Sequence, residues 1–141
     1  MEGRAVHITL ESDYATRIAY CLAKAPGRMD AKSISEETGV TLRFSLKILR
    51  KLVASGIVKS FKGTQGGYEL ARDPKDISLC EIIETVEGPL LINRCIGGDF
   101  VCTRKKTKPC QFQCTFREIS QMVIDRLQEK TLDQYLDDDG I

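Results

Sequence analysis

The chain has 141 residues, 42% of them hydrophobic, enough for one folded unit with a real core and an appendage. Charged residues make up 29%, yet the formal net charge is only +1, so any charged face must come from local clustering and not from bulk composition. No apolar run is long enough to span a bilayer, and the opening MEGRAVHITLESDYATR lacks an apolar signal core, so a cytoplasmic protein without membrane contact is expected.

SDYATRIAYCLAKAPG predicts a first helix. Ser12 is its expected N-cap and Asp13 sits in the positive first turn, while Tyr14, Ile18, Cys21, Leu22 and Ala25 recur at helical spacing. MDAKSISEETGV predicts a short second helix, from a cap at Asp30 to a turn at Gly39. TLRFSLKILRKLVASG predicts a third, capped by Thr41 and closed by Gly56. Two β-prone pieces, IVKSF and YELA, flank KGTQGG, where Gly66 and Gly67 are expected to supply the positive φ of a tight hairpin. SLCEIIETVEGP predicts a fourth helix with Ser78 and Glu81 as a capping box. The stretch from Cys95 to Cys114 then breaks all periodicity. From Thr115 the helical signal returns, with Phe116, Ile119, Met122, Val123 and Leu127 on one stripe; TLDQYL reads as a closing turn and DDDGI as a frayed acidic tail. The fold expected is mostly α with a small β-hairpin: a winged helix-turn-helix over residues 1–88, a cysteine-rich loop over 89–114, and a long C-terminal dimerisation helix with its tail over 115–141.

On the third helix, Leu42, Leu46, Leu49 and Val53 form an apolar stripe expected to face the core, and Arg43, Lys47, Arg50 and Lys51 form a separate basic face. Thr41, Arg43, Phe44, Ser45 and Lys47 lie near its N-terminal end, the part that enters a major groove. Arginine can read guanine through two parallel bonds, serine several base edges, and phenylalanine a thymine methyl, while the remaining cations neutralise phosphates. Beyond it, Lys59 and Lys62 flank a flexible tip in which Thr64, Gln65, Gly66 and Gly67 can bring backbone N–H groups and an amide to phosphates or base edges. A solvated lysine-rich face and an ordinary surface hairpin would each look similar alone; the two in this order point to double-stranded DNA.

The segment ISEETGVTLRFSLKILRKLVASGIVKSFKGTQGGYELARDPKDISLCEIIETVEG resembles the winged-helix region of the IscR/NsrR-type regulators, the Rrf-two family. The GVT start of the third helix and the wing KGTQGGYEL carry the resemblance most specifically, and a cysteine loop and a long helix ending near TLDQYL match in order. The resemblance implies a homodimeric transcription regulator, not an enzyme. Its long helices cross between subunits, and its paired winged helices bind a two-fold DNA site. In many members a cysteine cluster holds an iron–sulfur centre that senses redox state, nitric oxide or iron–sulfur supply, whereas other members lack the cysteines.

The cysteines are spaced C-x6-C-x7-C-x3-C. Zinc sites usually contain a tight pair, which only Cys110 and Cys114 approach; a fully cysteinyl iron–sulfur centre needs four thiolates. Six cysteines in a reducing compartment favour metal or redox chemistry over a disulfide framework. Gly97, Gly98 and Pro109 suit a loop folded around an inorganic core, and Arg104, Lys105, Lys106 and Lys108 either offset its negative charge or form a solvated loop. On spacing alone a cluster, zinc and bare thiols all stay open. The resemblance implies Cys95, Cys102 and Cys110 as ligands, with Cys114 the leading fourth where IscR-like proteins carry a histidine. The rival is Asp13, with Glu11 nearby, because NsrR-like members complete the cluster with an N-terminal aspartate of the partner subunit. A 2Fe–2S centre is favoured over 4Fe–4S. Cys21 and Cys80 are expected to pack structurally, although Cys80, in the first turn of a helix, is placed where a thiol pKa can fall; His7 is expected at the surface. The expected mechanism is a repressor whose cluster state alters the separation of its two recognition helices. The alternatives are a cluster-free thiol or zinc regulator and, from another class, an electron-transfer or redox protein that uses the winged helix for protein contacts.

Overall fold

Thr9 starts the first helix. Its hydroxyl accepts from the Ser12 N–H at 3.3 Å and opens α1, Leu10–Lys24. Ser12, the expected cap, is instead fully buried within α1, where its hydroxyl donates to the Glu87 carboxylate. The same carboxylate oxygen takes the Thr9 N–H at 2.8 Å and the Thr9 hydroxyl at 2.6 Å, so Ser12 is already committed and the helix begins earlier than expected. The computed structural model describes residues 8–97, 101–104 and 108–137. His7, Gly98, Lys105, Lys106 and residues 138–141 of the expected acidic tail lie outside them.

The next helices follow their caps. The Asp30 carboxylate accepts from the Ser33 N–H at 2.6 Å and opens α2, Ala31–Thr38; the same bond holds the Asp30 pKa below the ordinary carboxylate value. Gly39 ends α2 with a left-handed φ of 73°. Thr41 caps α3, Leu42–Ala54, accepting from the Phe44 N–H at 3.3 Å. An antiparallel pair follows, β1 (Val58–Phe61) and β2 (Gly67–Leu70), in register from Val58 opposite Leu70 to Phe61 opposite Gly67. Ser78 caps α4, Leu79–Glu87, by accepting from the Glu81 N–H at 3.1 Å. The last long element is α5, Gln111–Glu129, which begins a turn before the expected Thr115. Short 3-10 turns occupy Arg94–Ile96 and Leu132–Tyr135. Together α1 to α4 and the hairpin make a winged helix-turn-helix.

One core joins Ile18 and Leu22 of α1, Ile34 of α2, Ile48, Leu49 and Leu52 of α3, and Ile82 of α4. This corrects the expected roll of α3. Its inward face is Ser45, Ile48, Leu49 and Leu52; of the expected stripe only Leu49 is fully buried, Val53 is partly covered, and Leu42 and Leu46 stand 46% and 41% exposed. Ile48 and Leu52 fill the space against α1 and α4, and the helix turns to accommodate them. A second long-range feature closes the core. The Leu79 N–H donates to the Lys130 carbonyl at 2.8 Å and the Leu132 N–H to that of Ile77 at 3.1 Å. Leu132, 1% exposed, thereby joins the same apolar cluster from the far end of the chain.

The helix α5 is different. Ser120 is its one buried residue, and the Ser120 hydroxyl accepts from the Ile92 N–H at 3.1 Å. Phe112, Ile119, Met122 and Val123 stay exposed on one face, with Phe116 and Leu127 half-buried beside them. No helix among the described residues is long and apolar enough to cross a membrane.

Candidate nucleic-acid interface and cysteine site

The burial of Ile48 and Leu52 fixes which side of α3 faces outward. Arg43, Lys47 and Arg50 lie opposite the core and are exposed. Phe44, 42% exposed, stacks edge-on against Tyr14 at 6.0 Å, and the Lys47 ammonium stands 5.9 Å from the Phe44 ring centre. Two expected readers behave otherwise. Ser45 is fully buried and donates its hydroxyl to the Val40 carbonyl at 3.3 Å, so it supports the turn before α3 and does not reach a base edge. Lys51 is half-buried and bonded to Glu11 at 2.6 Å; Lys47 is 3.8 Å from the same carboxylate oxygen. Glu11 therefore offsets part of the basic face from the start of α1.

Lys62, Thr64 and Gln65 stand exposed at the tip of the hairpin. Gly63 (φ 94°) and Gly67 (φ 135°) take the positive-φ positions. Gly66, expected in that role, is not in the positive-φ region; it is required because a Cβ there would lie 2.5 Å from the Phe61 carbonyl oxygen. A Cβ on Gly67 would lie 2.7 Å from the Met29 carbonyl oxygen, because Met29 runs alongside β2 as a one-residue strand. Met29 and Tyr68 exchange two backbone hydrogen bonds, of 2.8 and 3.0 Å. Gly67→Ala is expected to lower stability by about 1–3 kcal/mol, from backbone strain plus this collision, as a urea unfolding curve would show.

The cysteine segment joins the hairpin-bearing unit to α5. Cys95 is half-buried; its N–H donates to the Asn93 side chain at 3.1 Å and its carbonyl accepts from the Gln113 amide at 2.7 Å. Cys110 occupies the N-cap position of α5 and Cys114 lies one turn on, its N–H donating to the Cys110 carbonyl at 3.0 Å. Cys102 is exposed, and the Arg104 guanidinium donates to the Cys110 sulfur at 2.5 Å. Both thiols are held below the usual cysteine pKa: Cys102 first by the Arg104 backbone N–H and then by its guanidinium, Cys110 first by the Gln113 backbone N–H and also by Arg104. Among the described residues, no three His, Cys, Asp or Glu side chains converge on one point as a metal would require. Arg104 thus holds Cys110, one helical turn links Cys110 with Cys114, and Gln113 ties the Cys95 backbone to that turn, without gathering three of the sulfurs. Asp13 is paired with Arg17 at 2.7 Å on α1.

A family model described as an iron-dependent transcriptional regulator, Rrf2, matches residues 8–138. The chain belongs to the Rrf2 family. It is 30% identical to the HTH-type transcriptional regulator NsrR of Bacillus subtilis over 65% of this chain and 64% of that protein. Two solved structures share its fold: T. potens IscR, with a TM-score of 0.76 at 26% identity over 95% of this chain and 88% of the other, and CymR, the global cysteine regulator of B. subtilis, with a TM-score of 0.74 at 26% identity over 94% and 97%. The chain spans 60% of the length of two relatives from Mycobacterium tuberculosis that it matches.

Within this Rrf2 chain the remaining thiols are set apart from the loop. Cys21 and Cys80 are buried, and burial raises both pKa values; a nearby carboxylate, Glu37 for Cys21 and Glu84 for Cys80, adds to it, taking Cys80 to about 11. The lowering that a first-turn position offered Cys80 is overridden by desolvation and by two carboxylates on its own helix. Two contacts are not marked in the sequence: Glu11 pairs with Lys51 across the core, and Arg28 lies over the Phe61 ring and bonds the Gln65 carbonyl, each joining segments far apart in the chain.

Proposed function

We propose that this Rrf2 regulator is a homodimeric, cytoplasmic DNA-binding repressor whose operator affinity is set by an iron–sulfur cluster. Cys95, Cys102, Cys110 and Cys114 would hold it, with Asp13 as the rival fourth ligand and 2Fe–2S as the favoured type. The observation that supports the cluster is the Arg104 guanidinium bonded to the Cys110 sulfur at the N-cap of α5, with Cys114 one turn along. The donor chemistry suits a cluster, with four thiols on one loop and helix end and a cation placed to offset thiolate charge, but among the described residues no three of the sulfurs meet at one point, so binding would require the loop to close around the metal. When bound, the cluster would supply reactivity toward oxidants and nitric oxide and a link between loop and helix. The division of labour is a winged unit, a sensing loop and the dimerisation helix α5, whose exposed Ile119, Met122 and Val123 face suits a second copy of the chain. Double-stranded DNA would meet Arg43, Lys47 and Arg50 in a major groove and Lys62, Thr64 and Gln65 beside it.

A relay supports coupling between the two sites. Glu87 is the last residue of α4, directly before the segment that leads to the cysteines, and it holds Thr9 and Ser12 at the start of α1. Between those two residues sits Glu11, which holds Lys51 and approaches Lys47. A shift at the base of the loop would pass through Glu87 to the start of α1 and alter how far Glu11 neutralises the DNA face.

The test is the visible spectrum of protein purified without oxygen from iron-replete cells. Charge-transfer bands are expected, bleached by dithionite or nitric oxide; Cys110→Ser should abolish them and Asp13→Asn should leave them. A colourless wild-type protein overturns the cluster. A second reading, a cluster-free thiol or zinc regulator, draws support from the likeness to CymR and from the separation of the four sulfurs. Metal analysis distinguishes these two forms of it.

A further inference from the structure

We infer that Arg28 is a positioning residue that sets the wing's angle to the recognition helix. The inference rests on the DNA-binding reading above. The wing is a hairpin of two four-residue strands with a glycine-rich tip, and a two-stranded hairpin is marginal unless something else holds it. Two supports are present, and they are neighbours in sequence. Met29 supplies the backbone pairing with Tyr68. Arg28 supplies the side-chain support: its guanidinium lies 3.4 Å over the centre of the Phe61 ring, at the end of β1, and one of its N–H groups donates to the Gln65 carbonyl at 3.2 Å, at the tip. Glu69 on β2 completes the set at 3.9 Å, but both partners are about 40% exposed, so this ion pair adds little. The stack and the bond to the tip are what orient the loop.

Arg28 directly precedes Met29 and the Asp30 cap of α2, so the same short segment grips the wing and starts the helix-turn-helix. A planar fork is needed for this. Lysine keeps the charge but can neither stack flat on Phe61 nor reach the Gln65 carbonyl in the same geometry.

Arg28→Lys and Arg28→Gln are the test, read with hydrogen exchange of free protein and hydroxyl-radical footprinting on a duplex that the wild type selects from a random pool. Both variants should speed exchange at the Tyr68 amide and the tip amides, erase the wing part of the footprint, keep the α3 part, and weaken binding by about tenfold. Unchanged exchange in both variants overturns the inference. So does a binding loss in Arg28→Gln that Arg28→Lys restores, because a direct phosphate contact needs only the charge. If the wild type selects no duplex, the DNA-binding reading fails, and exchange alone still decides whether Arg28 holds the wing.

Discussion

Replacing Arg43 and Lys47 together by alanine should weaken operator binding by about a hundredfold or more while leaving the thermal midpoint unchanged. Both side chains stand opposite the buried Ile48–Leu52 face, so their removal opens no cavity. A guanidinium paired to a guanine is worth about 1–3 kcal/mol of discrimination, and a lysine on a phosphate changes the salt slope by about one. Arg43→Ala alone should therefore relax sequence preference, and Lys47→Ala alone should weaken all duplexes alike. Ser45→Ala is the contrast, because its hydroxyl serves Val40 inside the protein; its cost should fall on stability and not on sequence choice. Fluorescence anisotropy at two or more salt concentrations separates these outcomes. Equal affinity for wild type and the double variant would remove α3 from the DNA interface.

Leu132→Ala should destabilise the protein by about 2–5 kcal/mol in urea or thermal unfolding. That is a large share of the stability of an ordinary domain, about 5–15 kcal/mol. The side chain is 1% exposed and packs in the core built by α1 to α4, although it follows α5 in sequence. Two backbone bonds hold it there, Leu79 to Lys130 and Leu132 to Ile77, so the site cannot easily collapse around a smaller residue. A change below about 0.5 kcal/mol would place Leu132 with ordinary surface positions and mean that the terminal turn does not hold the core.

What could be read from the residues in advance was mostly local. Asp30, Thr41 and Ser78 act as caps because a short oxygen-bearing side chain meets the third amide along, a relation contained in a few residues. The winged order of elements was equally local, since each helix and strand carries its own period. Features that need two distant segments were not legible. Ser12 lost its cap role to Thr9 through Glu87, far along the chain. The roll of α3 is not legible because Leu42, Leu46, Ile48, Leu49, Leu52 and Val53 spread over one broad arc, and only packing against the other helices selects Ile48, Leu49 and Leu52 within it. The start of α5 is not legible because Gln111 to Cys114 carries no oxygen cap and no apolar repeat, although the helix forms from Gln111. In the cysteine loop, the bond from Arg104 to Cys110 was not legible, since a solvated loop would have the same composition.

Leu132 also orders events during synthesis. The chain leaves the ribosome N-terminus first, so the helices that make up the reading head emerge long before the residue that completes their core. Until then the core that Leu132 shares with Ile77 and Ile82 lacks one of its members. The cysteine segment is necessarily made within that interval, between an unfinished winged unit and the turn that seals it. Maturation of the nascent regulator thus ends with one buckle: a protein cut short after α5 would carry every cysteine and every candidate DNA contact, yet lack the piece that closes its own core.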